Sequence, residues 1–314
     1  MIIVETTPQK YDQYFGKGNI CYNSAAFNEL NAFKCNEVFF LLFKDSKLRL
    51  GLVAGLKGKI LLSPFSSPFG GFSTVDNTLS VRHIEEAVEA LKIFCKSKGF
   101  ESLSMTLPPL FYNESFLTKV QHVLIQKDFR MDALDLNYYF HLKQILNNYS
   151  VEVLARNARK NLNIALSKNL SFRAGSGEQD LMLAYDIIKR NREEKGFYIS
   201  MTADEMIRTS KLLKADSFMV GMDGQDIASA IVFHVTEKIL QVIYWGDLSE
   251  FASNKTMNYL SFKVFEFYYL KNYTIIDVGT AMLDNKPNYG LCDFKESIGC
   301  VIQPKCTFSI DFTE

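Results

Sequence analysis

The order of the predicted secondary-structure elements is repeated along this chain, and that repeat limits the fold more than any other feature. In the N-terminal half, three runs rich in Val, Ile, Leu and Phe are separated by Lys-Asp-Ser and Lys-Gly, which predicts three antiparallel strands joined by tight turns. A helix, a strand, a second helix and a long strand follow. The predicted ranges are strands 37–44, 47–56 and 59–64, a helix from 81 that Gly99 ends, strand 101–107, helix 115–127 and strand 129–142.

The C-terminal half contains the same elements in the same order. The predicted ranges are strands 217–222, 226–236 and 239–246, a helix with an apolar stripe over 257–267, strand 274–278, helix 293–298 and strand 303–312. Lys98-Gly99-Phe100 and Lys271-Asn272-Tyr273 precede corresponding strands of the two halves, about 170 residues apart, roughly one domain length. We therefore predict an α+β chain of two tandem domains, each a mixed, mostly antiparallel sheet flanked by helices.

A helical region separates the two sets of strands. An apolar stripe at three- and four-residue steps predicts one amphipathic connecting helix over 151–168. Two further helices are predicted at 178–195 and 202–214. We place the domains at 1–150 and 151–314, with the connecting helix at the start of the second.

The composition is that of a globular protein. Hydrophobic residues make up 47% of the chain and charged residues 22%, which argues against a disordered or fibrous protein. The 35 Lys and Arg balance the 35 Asp and Glu, so we do not expect a large nucleic-acid footprint, and DNA is not an expected partner. A local basic patch is still compatible with this balance.

No segment indicates a membrane span, a secretory leader or a metal centre. The longest apolar run, 38–43, is far shorter than the ~20 residues that cross a bilayer, and no basic region precedes an apolar one at the N-terminus. The six Cys and four His show no metal-ligand spacing. We expect a cytoplasmic protein with free thiols and without a metal site.

Four stretches, taken in their order along the chain, point to a family. They are 106–112, Asp135-Leu136, 156–161 and 288–299. In this order they resemble the Fem-type (FemABX-like) peptidyltransferases. The last stretch is the most specific, because its Asn, Gly-Leu, Phe-Lys and final Gly are similar to the motif that closes the second domain of that family. The resemblance covers nearly the whole chain and implies two tandem GNAT-like (acyl-CoA N-acyltransferase) domains.

The resemblance implies transfer of an acyl or aminoacyl group onto an amine. Some members of the family take the group from aminoacyl-tRNA to build peptidoglycan cross-bridges, and related branches use acyl-CoA. Either is therefore a candidate donor, and no tightly bound cofactor is implied. The acceptor stays open between a cell-wall precursor, another sugar-nucleotide amine, a protein N-terminus and a small metabolite. The alternative is a non-catalytic tandem GNAT that binds a ligand.

Two departures from the family bear on the donor. The short helices over 178–214 leave no room for the coiled-coil hairpin of the longer cross-bridge enzymes. The segment 247–255, which precedes a helix of the second domain, has no glycine and two acids. A CoA pyrophosphate needs backbone N–H groups and positive potential at such a helix start, so we expect ordinary CoA binding in this domain to be disfavoured. The same feature motivates the non-catalytic alternative.

The candidate catalytic residues are Lys295 and Tyr244. Acyl transfer passes through a tetrahedral oxyanion that needs a positive or hydrogen-bonding neighbour, and the resemblance assigns that role to Lys295, with Phe294 beside it as a substrate-binding residue. The alternative for Lys295 is a solvated helix lysine. Tyr244, at the end of a predicted strand, is a candidate to orient the acyl carbonyl or donate a proton to the leaving group; packing is the alternative. No general base is evident.

Two further candidates are substrate-binding residues. Arg156 and Arg159 share a helix face with Lys160 and Asn163, where guanidinium groups can bind a phosphate or carboxylate. A solvated basic face is the commoner alternative.

Gly70 and Gly71 lie in a loop whose paired glycines permit close backbone approach to a ligand or simply form a turn. The resemblance adds that the first domain helps to shape the acceptor cleft. Arg190 and Arg192 alternate with Glu193 and Glu194, which indicates ordinary surface chemistry.

Overall fold

A computed structural model describes residues 1–16, 19–75, 78–146, 148–283 and 286–312. The chain forms two compact units. Unit 1 comprises Met1–Leu136 and Gln303–Glu314, and unit 2 comprises Asn137–Ile302. Each unit contains a mixed, mostly antiparallel sheet with helices packed against it, so the predicted α+β class is confirmed.

The described elements follow the predicted order. The strands are β1 (Ile2–Glu5), β2 (Glu37–Lys44), β3 (Leu48–Lys57), β4 (Ile60–Ser63), β5 (Phe72–Thr74), β6 (Ser102–Thr106), β7 (Arg130–His141), β8 (Leu170–Ala174), β9 (Ala215–Met222), β10 (Gln225–His234), β11 (Ile239–Asp247), β12 (Ile275–Thr280), β13 (Met282–Leu283), β14 (Lys286–Pro287) and β15 (Val301–Asp311). The α-helices are α1 (Pro8–Phe15), α2 (Ala25–Leu30), α3 (Val81–Ser97), α4 (Glu114–Gln126), α5 (Tyr149–Glu152), α6 (Arg156–Leu166), α7 (Gly177–Glu194), α8 (Ala203–Leu212), α9 (Thr256–Leu270) and α10 (Tyr289–Ser297). Short 3₁₀ helices lie at Cys21–Asn23, Ala32–Lys34, Leu110–Tyr112, Leu142–Ile145 and Ser249–Asn254.

The sheet of unit 1 is buried on both faces. Its strand order is β1-β2-β3-β4-β6-β15, with β5 paired to β3. Among the described pairs of this sheet, only β4 and β6 run parallel. Along β2, Phe39, Leu41 and Phe43 belong to the larger core, which includes residues of α3 and α4, whereas Phe40 and Leu42 pack with residues of α1. Alternate side chains of a strand point to opposite faces, so the continuous apolar run of β2 supplies two cores.

Unit 2 has the strand order β7-β12-β11-β10-β9-β8. Strands β11 and β12 pair in parallel, while the other described neighbours along this order are antiparallel. Helices α7 and α9 contact the central strands, and α9 carries buried side chains on most of its surface. The parallel pair at the centre of this sheet positions the candidate site.

The observed units differ from the domains predicted at 1–150 and 151–314 at two places. The second half of β7 pairs with β12 of unit 2, from Asn137 opposite Thr280 to His141 opposite Ile275. The final strand β15 returns to unit 1, where it pairs with β6. The long strand that ends the first domain in sequence and the strand that ends the chain therefore each complete the sheet of the other half.

The connecting helix predicted over 151–168 is two helices. The first, α5, ends at Glu152 and α6 begins at Arg156. Between them, the amide of Ala155 donates to the carbonyl of Ser297, so the backbone leaves the helical hydrogen-bond pattern to bond with the end of α10. Periodicity alone does not detect this interruption, because the apolar stripe continues across it.

Candidate active site in the second unit

The parallel strands β11 and β12 separate soon after they meet. They pair only from Ile239 opposite Ile275 to Gln241 opposite Asp277. Directly beyond, each strand has a register shift relative to its outer neighbour, after Val242 in β11 and after Asp277 in β12. Because a β-bulge bends its strand, these two irregularities account for the parting. We call the space beyond the last pair the wedge of unit 2.

A buried carboxylate lies where the wedge begins. Asp277 is 0% exposed, and it accepts hydrogen bonds from Asn137 Nδ2 at 2.9 Å, Gln241 Nε2 at 2.8 Å and the amide of Gly279 at 2.8 Å. A buried carboxylate needs such donors to offset the loss of hydration. This network joins β7, β11 and β12 and fixes the point at which the strands part.

Helix α10 brings the closing motif of the sequence to the same place. Asn288 caps the helix, accepting from the amide of Leu291 at 3.1 Å, so the helix starts four residues before the predicted 293. Gly299 follows the helix with φ +89°, a conformation that favours glycine. A Cβ there would also lie 2.2 Å from Val153 Cγ1. The Asn and the final Gly of the motif therefore set the ends of α10.

Lys295 of α10 is buried, not solvated. Its side chain is 2% exposed, and Nζ donates to the carbonyls of Val278, Gly279 and Thr280, each at 2.9 Å. An ammonium has three N–H donors, so all three are used by the end of β12. The solvated alternative is wrong, and the ammonium holds the backbone of one wall of the wedge.

The surroundings of Lys295 bring its pKa close to neutral. Burial lowers its pKa to about 8, because removal from water disfavours the charged form. The nearby Cys300, Asp277 and Cys292 act in the opposite direction, while the positive charge of Arg192 adds to the lowering. Burial in turn raises the pKa of the Cys300 thiol to about 12, so this cysteine is not a ready nucleophile.

Tyr244 lies on β11, the other strand of the wedge. It is 7% exposed, and its hydroxyl lies 2.6 Å from Ser200 Oγ and accepts from the amide of Met201 at 3.2 Å. Both partners belong to the loop between α7 and α8. Burial raises the pKa of Tyr244, so the phenol stays neutral and keeps a proton to donate.

Phe294 and Trp245 link α10 to β11. Their rings meet edge to face, with centroids 5.9 Å apart, and Phe294 is half-buried. Such aromatic pairs contribute about 0.5–1.5 kcal/mol beyond the area that they bury. The contact holds the helix that carries Lys295 against the strand that carries Tyr244, so packing is the role of Phe294 that the structure displays.

Arg192 of α7 is a member of this cluster that the sequence analysis assigned to the surface. Its guanidinium lies 5.9 Å from the centre of the Phe197 ring, and it is near enough to interact electrostatically with Tyr244 and Lys295. Its Nε is buried and has no hydrogen-bond partner among the described residues. The surface interpretation holds for Arg190, which is exposed and pairs with Glu194 and Glu250. It is wrong for Arg192.

Arg156 and Arg159 are not linked to this cluster. Arg156 is exposed, whereas Arg159 is half-buried and its Nη2 donates to the carbonyl of Val151 near the end of α5. In the part of the chain that the structure describes, no hydrogen bond or ion pair connects either residue to Lys295, Tyr244 or Arg192. Their predicted role in anion binding stays a prediction, with Arg159 stabilising the break between α5 and α6.

Gly70 and Gly71 lie buried in unit 1. The amide of Gly70 donates to the carbonyl of Thr106 at 2.9 Å, and that of Gly71 donates to Ser63 Oγ at 3.0 Å. Gly71 has φ +88°, and a Cβ there would lie 2.8 Å from Leu107 Cδ2. Both amides are thus used inside the unit, which favours the turn over the predicted contact with substrate.

The start of α9 carries a carboxylate where a GNAT pyrophosphate site needs free N–H groups. Asp247, buried at the end of β11, accepts from Thr256 Oγ1 at 2.5 Å. Glu250 in the same segment pairs with Arg190, and Lys255 caps the helix with φ +60° and without a side-chain hydrogen bond. Negative charge at a helix N-terminus opposes binding of another anion, and the disfavoured CoA binding expected from the sequence stays a prediction.

In the described parts of the chain, no group of three or more His, Cys, Asp or Glu is arranged to hold a metal ion. Among the described helices, none is both long and apolar enough to cross a membrane.

Comparison with solved structures settles the fold. FemX superposes with a TM-score of 0.71 at 13% identity, over 99% of this chain and 98% of FemX. This chain has the fold of FemX. The C-terminal domain of a putative lysylphosphatidylglycerol synthetase from Agrobacterium fabrum follows at 14% identity and a TM-score of 0.61, over 96% of this chain and 92% of that domain. A tandem GNAT protein from the clavulanic acid biosynthesis pathway matches at 7% identity and a TM-score of 0.55, over 99% of this chain and 98% of that protein.

Neither a scan against protein-family models nor a search of curated proteins finds a match. The structural likenesses confirm the tandem GNAT fold that the Fem-type resemblance implied.

Proposed function

We propose that this protein is an N-acyltransferase that moves an acyl or aminoacyl group from a carrier onto an amine, with its reacting centre in the wedge of unit 2. The observation that carries the proposal is the parting of β11 and β12 after Gln241 and Asp277. Beyond that point β11 carries Tyr244, and Lys295 is bonded to the end of β12. An acyl group that enters between the strands meets backbone and polar side chains held in fixed positions.

The chemistry needs a stabilised oxyanion and a leaving group that accepts a proton. The amine nitrogen attacks the carbonyl carbon of the donor ester or thioester, and the carbonyl oxygen becomes negative. Preorganised positive charge stabilises this oxygen. The Lys295 ammonium supplies this positive charge through the β12 backbone. It does not bond the oxyanion itself, because its three N–H groups are bonded to carbonyls of β12. We therefore treat Lys295 as a positioning and electrostatic residue.

Tyr244 is the proposed proton donor. Its phenol is neutral because burial raises its pKa, and it shares a hydrogen bond with Ser200 Oγ. When the tetrahedral intermediate collapses, the carbon–oxygen or carbon–sulfur bond of the carrier breaks and the phenol gives its proton to the departing atom. The attacking amine loses its own proton to water, and water returns a proton to the Tyr244 phenolate, so that positioning of the substrates suffices without a protein base.

Aminoacyl-tRNA is the donor that we favour over acyl-CoA. The buried Asp247 accepts from Thr256 at the start of α9, and the exposed Glu250 lies in the segment before that helix. These acids disfavour a pyrophosphate at that helix start. The Fem-type resemblance implies charged tRNA as a donor, and the name of the Agrobacterium neighbour also refers to an aminoacylated product. The acceptor is an amine, with a cell-wall precursor as the first candidate to test.

A non-catalytic ligand-binding module is the second candidate. It is favoured by one observation, the complete use of the Lys295 N–H donors by the carbonyls of β12. A scaffold that has lost its chemistry would keep such a lysine as part of the fold.

Product formation separates the two candidates. Purified protein is incubated with charged tRNA or with acyl-CoA of several chain lengths, and with amine acceptors that include peptidoglycan precursors, peptides and small amines. Mass spectrometry then detects the N-acylated product. The proposed function predicts product from a charged tRNA. Product from acyl-CoA alone would correct the donor, and the absence of product from every pair would favour the ligand-binding module.

A further inference from the structure

Arg192 differs from the other cations on the same stretch of α7. Lys189, Arg190 and Lys195 each lie within ion-pair distance of a carboxylate, respectively that of Glu193, of Glu194 and Glu250, and of Asp247. These three cations are exposed. Arg192 is half-buried, and within the described ranges its side chain makes no hydrogen bond or ion pair, while its Nε is wholly removed from solvent. Of these four cations, the half-buried one is therefore the one that has no counter-ion among the described residues.

The nearby carboxylates are already engaged. Glu194 accepts from Ser249 Oγ as well as from Arg190, and Asp247 accepts from Thr256 Oγ1. Glu193 faces Lys189. Within the described residues, the acids of this region therefore leave Arg192 to face groups that are neutral or positive, namely Tyr244, the Phe197 ring and Lys295.

Burial of the Nε donor without a described partner carries a cost in lost hydration. A guanidinium carries five N–H donors, and a buried donor without a partner loses its hydration without compensation. Burial accordingly lowers the pKa of Arg192. The Phe197 ring lies beside the guanidinium at 5.9 Å, a distance at which a ring face stabilises the cation and restricts its orientation. An oriented guanidinium with unused donors is suited to bind a carboxylate or phosphate through two parallel hydrogen bonds.

We propose that Arg192 is an anion-binding residue of the wedge, and that it binds an oxyanionic group of the substrate, a carboxylate or a phosphate, beside Tyr244. Its place in catalysis rests on the proposed function, but the anion site itself does not. The neighbouring charge of Lys295 strengthens the attraction for an anion, because both groups are positive at neutral pH and lie within electrostatic range.

The first test measures binding without any reaction. The thermal midpoint of the full-length protein is followed in sodium phosphate, sodium acetate or sodium chloride at matched ionic strength. A site occupied at about ten times its dissociation constant raises the midpoint by about 3 °C. We expect such a rise in phosphate or acetate relative to chloride. The anion that produces it identifies the group as a phosphate or a carboxylate.

Arg192→Gln and Arg190→Gln are the matched variants. Both remove one guanidinium from α7, but only Arg190 has counter-ions. We expect Arg192→Gln to lose the anion-dependent rise and, in chloride, to melt no lower than the wild-type protein. Arg190→Gln should keep the full rise. Arg192→Lys, which keeps the charge and loses the planar fork, should keep only part of it.

Two results would overturn the inference. One is a wild-type midpoint that is the same in all three salts, and the other is a rise of equal size in Arg192→Gln. If product is found in the transfer assay, Arg192→Gln should raise KM for one substrate about 10-fold or more with a smaller change in kcat. If no product is found, the proposed function fails, while the salt-dependent midpoint still decides whether Arg192 binds anions.

Discussion

Units 1 and 2 each contain one parallel strand pair at the same place in the order of elements, and the two pairs end differently. In unit 1, β4 pairs with β6 along its whole length, from Ile60 opposite Ser102 to Ser63 opposite Met105. In unit 2, β11 and β12 pair only as far as Gln241 and Asp277 and then part. The same topology thus gives a closed pair in one unit and a wedge in the other.

Irregular backbone and polar residues account for this difference. The strands of unit 1 show no register shift around the β4–β6 pair, and the loop with Gly70 and Gly71 bonds to Thr106 and Ser63 just beyond it. Met105 and Leu107 there are part of the apolar core. In unit 2 both strands have shifts, and the corresponding place holds Asp277 and Lys295. We infer that unit 1 stabilises the fold at this position and that unit 2 performs the chemistry.

The largest expected effect is that of removing the Lys295 ammonium. Lys295→Ala should lower turnover about 10²-fold, the typical cost of one preorganised oxyanion stabiliser, because the positive field disappears and the carbonyls of Val278, Gly279 and Thr280 lose their donor. Single-turnover rates at a temperature where circular dichroism shows a folded protein measure this. Lys189→Ala, at an exposed lysine, is the control. A variant with unchanged turnover would remove Lys295 from the mechanism.

The corresponding change in unit 1 should affect stability alone. Gly71→Ala places a side chain at φ +88° and 2.8 Å from Leu107 Cδ2, which should lower the free energy of unfolding by about 1–2 kcal/mol. Denaturant titration measures this loss. Because no reacting group is assigned to this loop, the turnover per folded molecule should equal that of the wild-type protein. A selective loss of turnover would instead support the predicted substrate contact of Gly71.

The pH dependence should show a smaller effect, confined to unit 2. The folded pKa of Lys295 is about 8, below the value of about 10.4 for an unfolded lysine. The unfolded chain therefore binds more protons between these two pH values, and this group makes stability rise with pH across that window. Turnover depends on the ammonium and should fall several-fold as pH rises from 8 to 9.

Turnover and thermal midpoint, each measured between pH 6.5 and 9.5, test whether turnover falls while stability rises. The charged and titratable groups that influence Lys295 are Cys292, Cys300, Asp277 and Arg192. Burial raises the pKa of the Cys300 thiol to about 12, which keeps it protonated in this window. Lys295→Ala should lose both trends. A wild-type rate that stays level up to pH 9.5 would contradict a role for the ammonium.

The order of elements and the tandem GNAT fold were accessible from the sequence, because each depends on local pattern. Strand β2 lies where it was predicted, and α10 carries the Phe-Lys pair of the closing motif. The first 36 residues yielded no prediction, although α1 packs Tyr11 and Phe15 against the second face of β2. Helix α1 is only eight residues long and buries two side chains, Tyr11 and Phe15, so its apolar residues do not form a clear helical stripe in the sequence.

The sequence did not show which strands pair or which side chains contact one another in the fold. Alternation shows that β7 and β15 are strands but not which strand each pairs with, so the exchange between halves is absent from the predicted domains. The motif identified Lys295 but not the carbonyls that occupy its donors. The charge pattern around Arg192 predicts surface pairs, and only the packing of α7 and its following loop shows that this arginine lacks one.

Hydrogen exchange with and without the donor that yields product tests the central claim most directly. We expect slower amide exchange in β11 beyond Gln241, in β12 beyond Asp277 and in α10 when the donor is bound. Exchange around Gly70 and Gly71 of unit 1 should stay unchanged. Protection confined to the loop of unit 1, with none at the wedge, would contradict the assignment of the chemistry to unit 2.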